Sequence, residues 1–215
     1  LSLIDYPKKV AAVIFTQGCD FRCPFCYNSD LVIPEKYTDP LNEEAILAFL
    51  EKRKGQLAGV VVTGGEPTLQ KGLPDFLRKI KNLGYAIKLD TNGNNPDILK
   101  ALIDANLIDY IAMDIKTSLA RYSEAVGVNV NIENIQKSID LIIASGIDYH
   151  FRTTLVYKFI SDNDLEEISK CLHKAKKYIL QKFDVKPQLL DETLKDGRVY
   201  SEDEFKSLQK TWEKR

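Results

Sequence analysis

Short apolar, β-rich runs alternate with amphipathic stretches about six times along this chain of 215 residues. No other feature narrows the fold as far. The runs at 10–16, 59–63, 85–90, 110–115, 149–156 and 184–190 read as strands. From Val10 to Phe15 the first is unbroken by any polar residue, as a parallel strand covered on both faces requires. The stretches between carry helical marks. Asn42 can cap a helix with Glu43 and Glu44 in its first turn, and Gly55 follows its basic end. Leu73, Phe76, Leu77, Ile80 and Leu83 recur at helical spacing between Pro74 and Gly84. Pro96 opens a helix bearing Ile98, Leu99, Leu102 and Ile103, and Ile132, Ile135, Ile139, Ile142 and Ile143 form a stripe ended by Gly146. Ser161 and Asp164 suit a capping box ahead of Leu165, Ile168, Leu172 and Ala175. A last helix is expected from Glu202 to the C-terminus.

Repeated strand–helix alternation implies a parallel sheet joined by right-handed crossovers. A closed eightfold barrel takes about 250 residues, so the expected fold is α/β, a partial (β/α)6 TIM-like barrel forming a single domain over 1–215. The longest connection without periodicity, 117–130, reads as a mobile loop over the site. A net charge of -1 offers no field that would gather nucleic acid or an anionic membrane. Lys174, Lys176 and Lys177 read as a solvated helix face. With no long apolar run and no signal-peptide pattern, the expected location is the cytoplasm. The chain opens at Leu1 rather than Met, so a short native start is expected upstream.

Three of the four cysteines, Cys19, Cys23 and Cys26, fall within eight residues in a C-x3-C-x2-C pattern just after the first strand. A cytosolic group of this kind points to metal or redox chemistry. Structural zinc normally takes four protein ligands. Three thiolates on a [4Fe–4S] cluster leave one iron open to an exogenous ligand, which suits a cluster that binds what it reduces. A zinc knuckle completed by a distant ligand and plain reduced cysteines are the other readings. Cys171 stands apart and reads as structural; His150 and His173 lack metal-motif spacing to the cysteines, and His173 reads as a surface residue.

Polar groups mark the ends of the next four strands. Thr63-Gly64-Gly65-Glu66-Pro67 lets backbone approach a ligand closely, and Glu66 could meet a ligand ammonium; alone, it is also an ordinary turn. Asp90-Thr91-Asn92-Gly93 is dense in hydrogen-bonding groups. Asp114 and Lys116 share a strand face, as do His150, Arg152 and Thr154, so all can point into the lumen. Arg152 is then a cation suited to a carboxylate, and each of these charges could equally form a structural ion pair. All lie at C-terminal strand ends, where parallel α/β barrels build active sites.

These residues resemble the radical S-adenosylmethionine (SAM) superfamily, whose motif C-x3-C-x-aromatic-C is met by Cys19, Cys23, Phe25 and Cys26 and whose Gly-Gly-Glu-Pro stands at Gly64, Gly65, Glu66 and Pro67. The resemblance implies a [4Fe–4S] cluster on the three cysteines and SAM chelating its unique iron, with the glycine-rich backbone holding the SAM amino group. A narrower resemblance is to glycyl-radical-enzyme activases, in particular anaerobic ribonucleoside-triphosphate reductase activating proteins. It rests on Ser2-Leu3-Ile4-Asp5-Tyr6-Pro7, Phe15-Thr16-Gln17-Gly18-Cys19, Asp90-Thr91-Asn92-Gly93 and Met113-Asp114-Ile115-Lys116. By that likeness Asp90 and Lys116 help hold SAM, with Asn92 and Arg152 beside them. Asp90, Thr91 and Asp114 would surround a small monovalent cation, and Phe25 and Tyr27 would border the adenine or the cluster. The chain departs from the activases in having Tyr27 where they often have His, in lacking a second Cys group, and after Lys186-Pro187, where their later SAM contacts find no match. The implied reaction is reductive cleavage of SAM to a 5′-deoxyadenosyl radical that makes a glycyl radical on a partner enzyme of the anaerobic ribonucleotide reductase or pyruvate formate-lyase type. A flavodoxin or ferredoxin-like protein would donate the electron; neither membrane nor nucleic acid is expected as a partner. The alternatives are a radical SAM enzyme acting on a small molecule, peptide or RNA base, and a zinc-binding interaction module.

Overall fold

The computed structural model describes residues 1–185 and 188–214. Among them are six strands, β1 (Ala11–Thr16), β2 (Gly59–Gly64), β3 (Ala86–Thr91), β4 (Tyr110–Asp114), β5 (Asp148–Leu155) and β6 (Tyr178–Lys182). They form one sheet in sequence order, every neighbouring pair parallel. Eight α-helices accompany them: α1 (Ser29–Val32), α2 (Glu43–Lys52), α3 (Leu73–Asn82), α4 (Pro96–Asp104), α5 (Tyr122–Val126), α6 (Ile132–Ala144), α7 (Asp162–Cys171) and α8 (Glu202–Trp212).

Alternation along each strand separates two environments. Outward residues such as Val60, Val62, Ile87, Leu89, Ile111 and Phe151 join one large core with Leu77, Ile80, Leu102, Ile139 and Leu165 from the helices. The inward set is smaller, with Tyr6, Ala11, Val61 and Tyr110 packed together. In a flat sheet β1 and β4 would lie about 14 Å apart. Yet Tyr6, which Ser2 tethers to the start of β1 by pairing with Ala11, has its ring 5.9 Å from that of Tyr110 on β4. The sheet is therefore curled into a partial barrel, as the alternation implied.

The helix starts follow local chemistry. Asn42 and Asn131 accept the Glu44 and Glu133 amides, and Ser161–Asp164 and Ser201–Glu204 form reciprocal capping boxes. None of the helices among the described residues is long and apolar enough to cross a membrane.

Four expectations need correction. The sixth strand is Tyr178–Lys182, not 184–190; of the latter range, 186 and 187 lie outside the described residues. Val185 is exposed and Leu189 buried without strand pairing, so its apolar residues do not mark a strand. Lys174, Lys176 and Lys177 follow the end of α7 and lie in the turn into β6, not on a helix face. The last helix stops at Trp212, and Lys214 pairs antiparallel with Tyr178. Finally, the connection 117–130 holds a 3-10 turn at Leu119–Arg121 and α5, whose Tyr122, Ala125 and Val126 are fully buried. Thr117 Oγ1 donates to the Phe159 carbonyl, while Ser118 and Arg121 bind the Asp164 carboxylate at 2.5 and 2.7 Å. The expected mobile loop is a pinned segment.

Candidate active site

At the C-terminal end of the sheet, a cavity of about 220 Å³ is lined by all three clustered cysteines and by residues from every strand end from β2 to β6. The cysteine loop that forms one wall is held from several directions. The Asp20 carboxylate accepts from Asn92 Nδ2 and Asn94 Nδ2, both at 2.7 Å. Arg22 Nη1 donates to the Cys19 and Phe21 carbonyls, and the Arg22 amide donates to Val126 at the end of α5. Gly127 (φ +69°) permits that contact, because a Cβ there would lie 2.4 Å from the Arg22 carbonyl oxygen. Gln70 Nε2 donates to the Gln17 carbonyl, and the Asp191 amide to that of Pro24.

The second wall is the end of β2. Gly64 (φ +119°) backs onto Thr16 at the end of β1, and Gly65 presses against the cysteine loop so closely that a Cβ there would stand 2.0 Å from the Gly18 carbonyl oxygen. The Gly65 and Glu66 amides donate to Thr16 and Gly18. The close approach the glycines allow is thus to the cysteine loop as well as to the pocket, which Thr63, Gly64 and Gly65 line.

Glu66 turns away from the cavity, contrary to its expected meeting with a ligand ammonium. Its side chain is fully buried and accepts from the Thr68 amide and hydroxyl, the Thr91 hydroxyl and the Asn92 amide. The carboxylate ties the β2 and β3 loops together; Pro67 is buried beside it and is not among the cavity-lining residues.

The remaining expected residues converge on the cavity. Asp90, Thr91 and Asn92 come from β3, Asp114 and Lys116 from β4 and its exit, and Arg152 from β5. Asp114 is gripped by Arg152 Nε at 2.7 Å and Lys116 Nζ at 2.9 Å. Burial works against its charge, but the two cations hold its carboxyl well below the usual carboxylate range. Asp114 in turn keeps Lys116, despite burial, and Arg152 protonated beyond their ordinary ranges. Phe25 is buried against Phe159, and Tyr27 stacks on Phe183 with its hydroxyl accepting the Asp184 amide. Both rings line the cavity, as does Thr154, and so do Asn28, Val32 and Gln181, which had not been expected as site residues. Thr154 could be placed there from the face it shares with Arg152. Gln181 could not, because the strand that carries it was placed elsewhere. Cys171 lies outside the cavity against Gln136, and His173 is exposed.

Burial pushes the Cys19 thiol up to about 11 and the Cys23 thiol up to about 12, and raises Cys26; Lys116 acts against burial at all three. Thiols kept protonated by a dry wall are poor free nucleophiles, and metal binding deprotonates them. The Phe21 amide points a donor at Cys19 Sγ at 3.4 Å, and N–H donors to cluster-bound sulfur tune iron–sulfur centres. Three sulfurs around one cavity, beside a rim of hydrogen-bonding groups and paired charges, fit a [4Fe–4S] cluster with a zwitterionic ligand. Among the described residues no three His, Cys, Asp or Glu side chains are drawn together as a single-ion site.

Comparison with known proteins agrees with this arrangement. A family model described as the radical SAM superfamily matches residues 13–172. A Methanocaldococcus jannaschii protein named a "putative glycyl-radical enzyme activating enzyme" is 35% identical over 98% of this chain and 88% of its own length. A second protein of that organism, with the same description, is 28% identical over 80% of this chain and 66% of its own length. The crystal structure of Streptococcus suis SuiB bound to S-adenosylmethionine superposes with a TM-score of 0.74 at 17% identity, covering 94% of this chain and 46% of that one.

Proposed function

This chain belongs to the radical SAM superfamily, and we propose that within it the protein is an activase that places a glycyl radical on a partner enzyme. The observation that carries the reading is the 35% identity, over nearly the whole of both chains, to a relative named for that activity. The open end of the curled sheet supports it, since the cavity lies where a loop of a folded partner can enter. The family assignment replaces the zinc-module alternative.

When bound, the reduced [4Fe–4S] cluster and SAM supply one-electron cleavage of SAM to methionine and a 5′-deoxyadenosyl radical. The protein binds, orients and shields. Cys19, Cys23 and Cys26 would hold three irons and leave the fourth for SAM. The Gly64–Gly65 backbone, Asp90, Thr91, Asn92, Lys116 and Arg152 form the polar rim for its amino-acid and ribose groups. Glu66 and Pro67 act one step back, by fixing the β2 loop. Phe25 and Tyr27 give an apolar border that limits water at the reacting end. The electron is assigned to a flavodoxin or ferredoxin-like donor, and the working location to the cytoplasm.

The test is anaerobic incubation of cluster-loaded protein, SAM and dithionite with candidate glycyl-radical enzymes. The expected result is a glycyl EPR doublet on one partner, collapsing when its glycine carries deuterium at Cα. SAM cleavage with no such signal on any glycyl-radical enzyme encoded beside this protein would instead favour a small-molecule, peptide or RNA-base substrate.

A further inference from the structure

Below the cavity stands a lysine, Lys88, to which the proposed reaction gives no role, paired with Asp90 of the SAM rim. Lys88 and Asp90 are two apart on β3, so both face inward, with Asp90 in the cavity wall and Lys88 beneath it. Their side chains are 3% and 13% exposed, so the ammonium is shut off from solvent. Lys88 Nζ donates to Asp90 Oδ1, and among the described residues neither side chain has another hydrogen-bond or ion-pair partner. His150 nearby is buried with Nδ1 on the Tyr110 hydroxyl, and burial together with Lys88 and Arg152 pushes it down to about 3; it brings no charge at neutral pH. On the next strand, Asp114 is already taken at one oxygen by Arg152 and at the other by Lys116.

The two aspartates that the family likeness set around a small monovalent cation therefore meet three fixed cations. Lys88, Lys116 and Arg152 outnumber Asp90 and Asp114 before anything binds. A buried ammonium stripped of its carboxylate is strongly disfavoured, so Lys88 stays on Asp90 Oδ1, and an ion drawn to Oδ2 would stand on the same carboxylate as that ammonium and be repelled by it. The residues present do not fit a free cation. We infer that the Lys88 ammonium is itself the cation of this site: a positioning residue that fixes Asp90 for SAM and takes the place of a dissociable monovalent ion. The inference rests on SAM binding by the family and not on the activase assignment, and its readout needs no partner.

The test measures the SAM dissociation constant of the cluster-loaded full chain by equilibrium dialysis, in potassium, sodium or choline chloride at one ionic strength. The natural protein should bind SAM within about twofold in all three salts, because exposed charges are screened equally and no ion site is filled. Lys88→Met should bind about tenfold more weakly in choline, since Asp90 is left buried and unpaired. Potassium or sodium should restore that binding and raise the melting temperature of the variant without SAM, by entering the vacated space. Adding Asp90→Asn to Lys88→Met should abolish the salt effect. A natural protein that needs potassium or sodium for SAM would overturn the inference, as would a folded Lys88→Met that binds like the natural protein in choline. If Lys88→Met does not fold, the salt dependence of the natural protein decides the matter.

Discussion

Glu66 shows how a motif residue can be found and its task misread. Its position after two glycines stands out in the sequence, but nothing there says whether the carboxylate faces a ligand or the protein. The structure turns it inward onto four donors, from Thr68, Thr91 and Asn92. Both carboxylate oxygens act as acceptors, so Glu66→Gln puts an NH2 group against a donor and should cost about 1–3 kcal/mol of stability. Urea unfolding of the variant measures that loss directly. A variant of unchanged stability that no longer binds SAM would return Glu66 to the role of a ligand group. Asp20 shows the converse. It sits in the cysteine motif as an unremarked spacer, yet it clamps Asn92 and Asn94, residues more than seventy positions away, and only the folded chain reveals that reach.

Among the elements, legibility followed periodicity. Helices with long apolar stripes and marked ends, such as α3 and α6, stand close to their expected positions, as do the first five strands. The sixth is short, lies at an edge and leaves Gln181 exposed, so its pattern was weaker than that of the apolar residues just beyond it. Phe183 and Leu189 are buried for another reason, while Val185 is exposed: Phe183 stacks on Tyr27, and the Asp191 amide reaches back to the Pro24 carbonyl, so these residues brace the cysteine loop. The segment before α6 was misread because its anchors are distant. Asp164 in the first turn of α7 accepts from Ser118, Ser161 and Arg121. Burial alone would raise its carboxyl, but these partners bring it below its ordinary value. The unfolded chain therefore takes up the proton first on acidification. The stabilisation is full above the ordinary range near about pH 4 and drains away as pH falls through the lower folded value. Asp164→Asn should cost about 1–3 kcal/mol at pH 7, with melting curves of variant and natural protein converging below about pH 4. A constant difference across that range would contradict the account.

At the scale of the molecule, one geometric fact organises the function. Six parallel strands in sequence order put every strand's C-terminal end on one rim, and the curl brings residues from β2 to β6 around a single cavity with the cysteine loop. The alternation in the sequence was enough to foresee that rim and to offer ion pairing for Asp114, Lys116 and Arg152; that Arg152 takes Asp114 in particular was not, because the pairing of β4 with β5 fixes it. Short terminal pairings, Ser2 with Ala11 and Lys214 with Tyr178, lie at the two edge strands of the open barrel. The proposed function stands on Cys19, Cys23 and Cys26 holding the cluster that opens SAM. The decisive assay is 5′-deoxyadenosine formed from SAM and dithionite under strict anaerobiosis, for the reconstituted natural protein and for Cys19→Ala. The natural protein should form 5′-deoxyadenosine and methionine in equal amounts, and the variant at least a hundredfold less, about 3 kcal/mol in barrier terms. An intact [4Fe–4S] cluster that forms no 5′-deoxyadenosine, or a Cys19→Ala protein as active as the natural one, would contradict it.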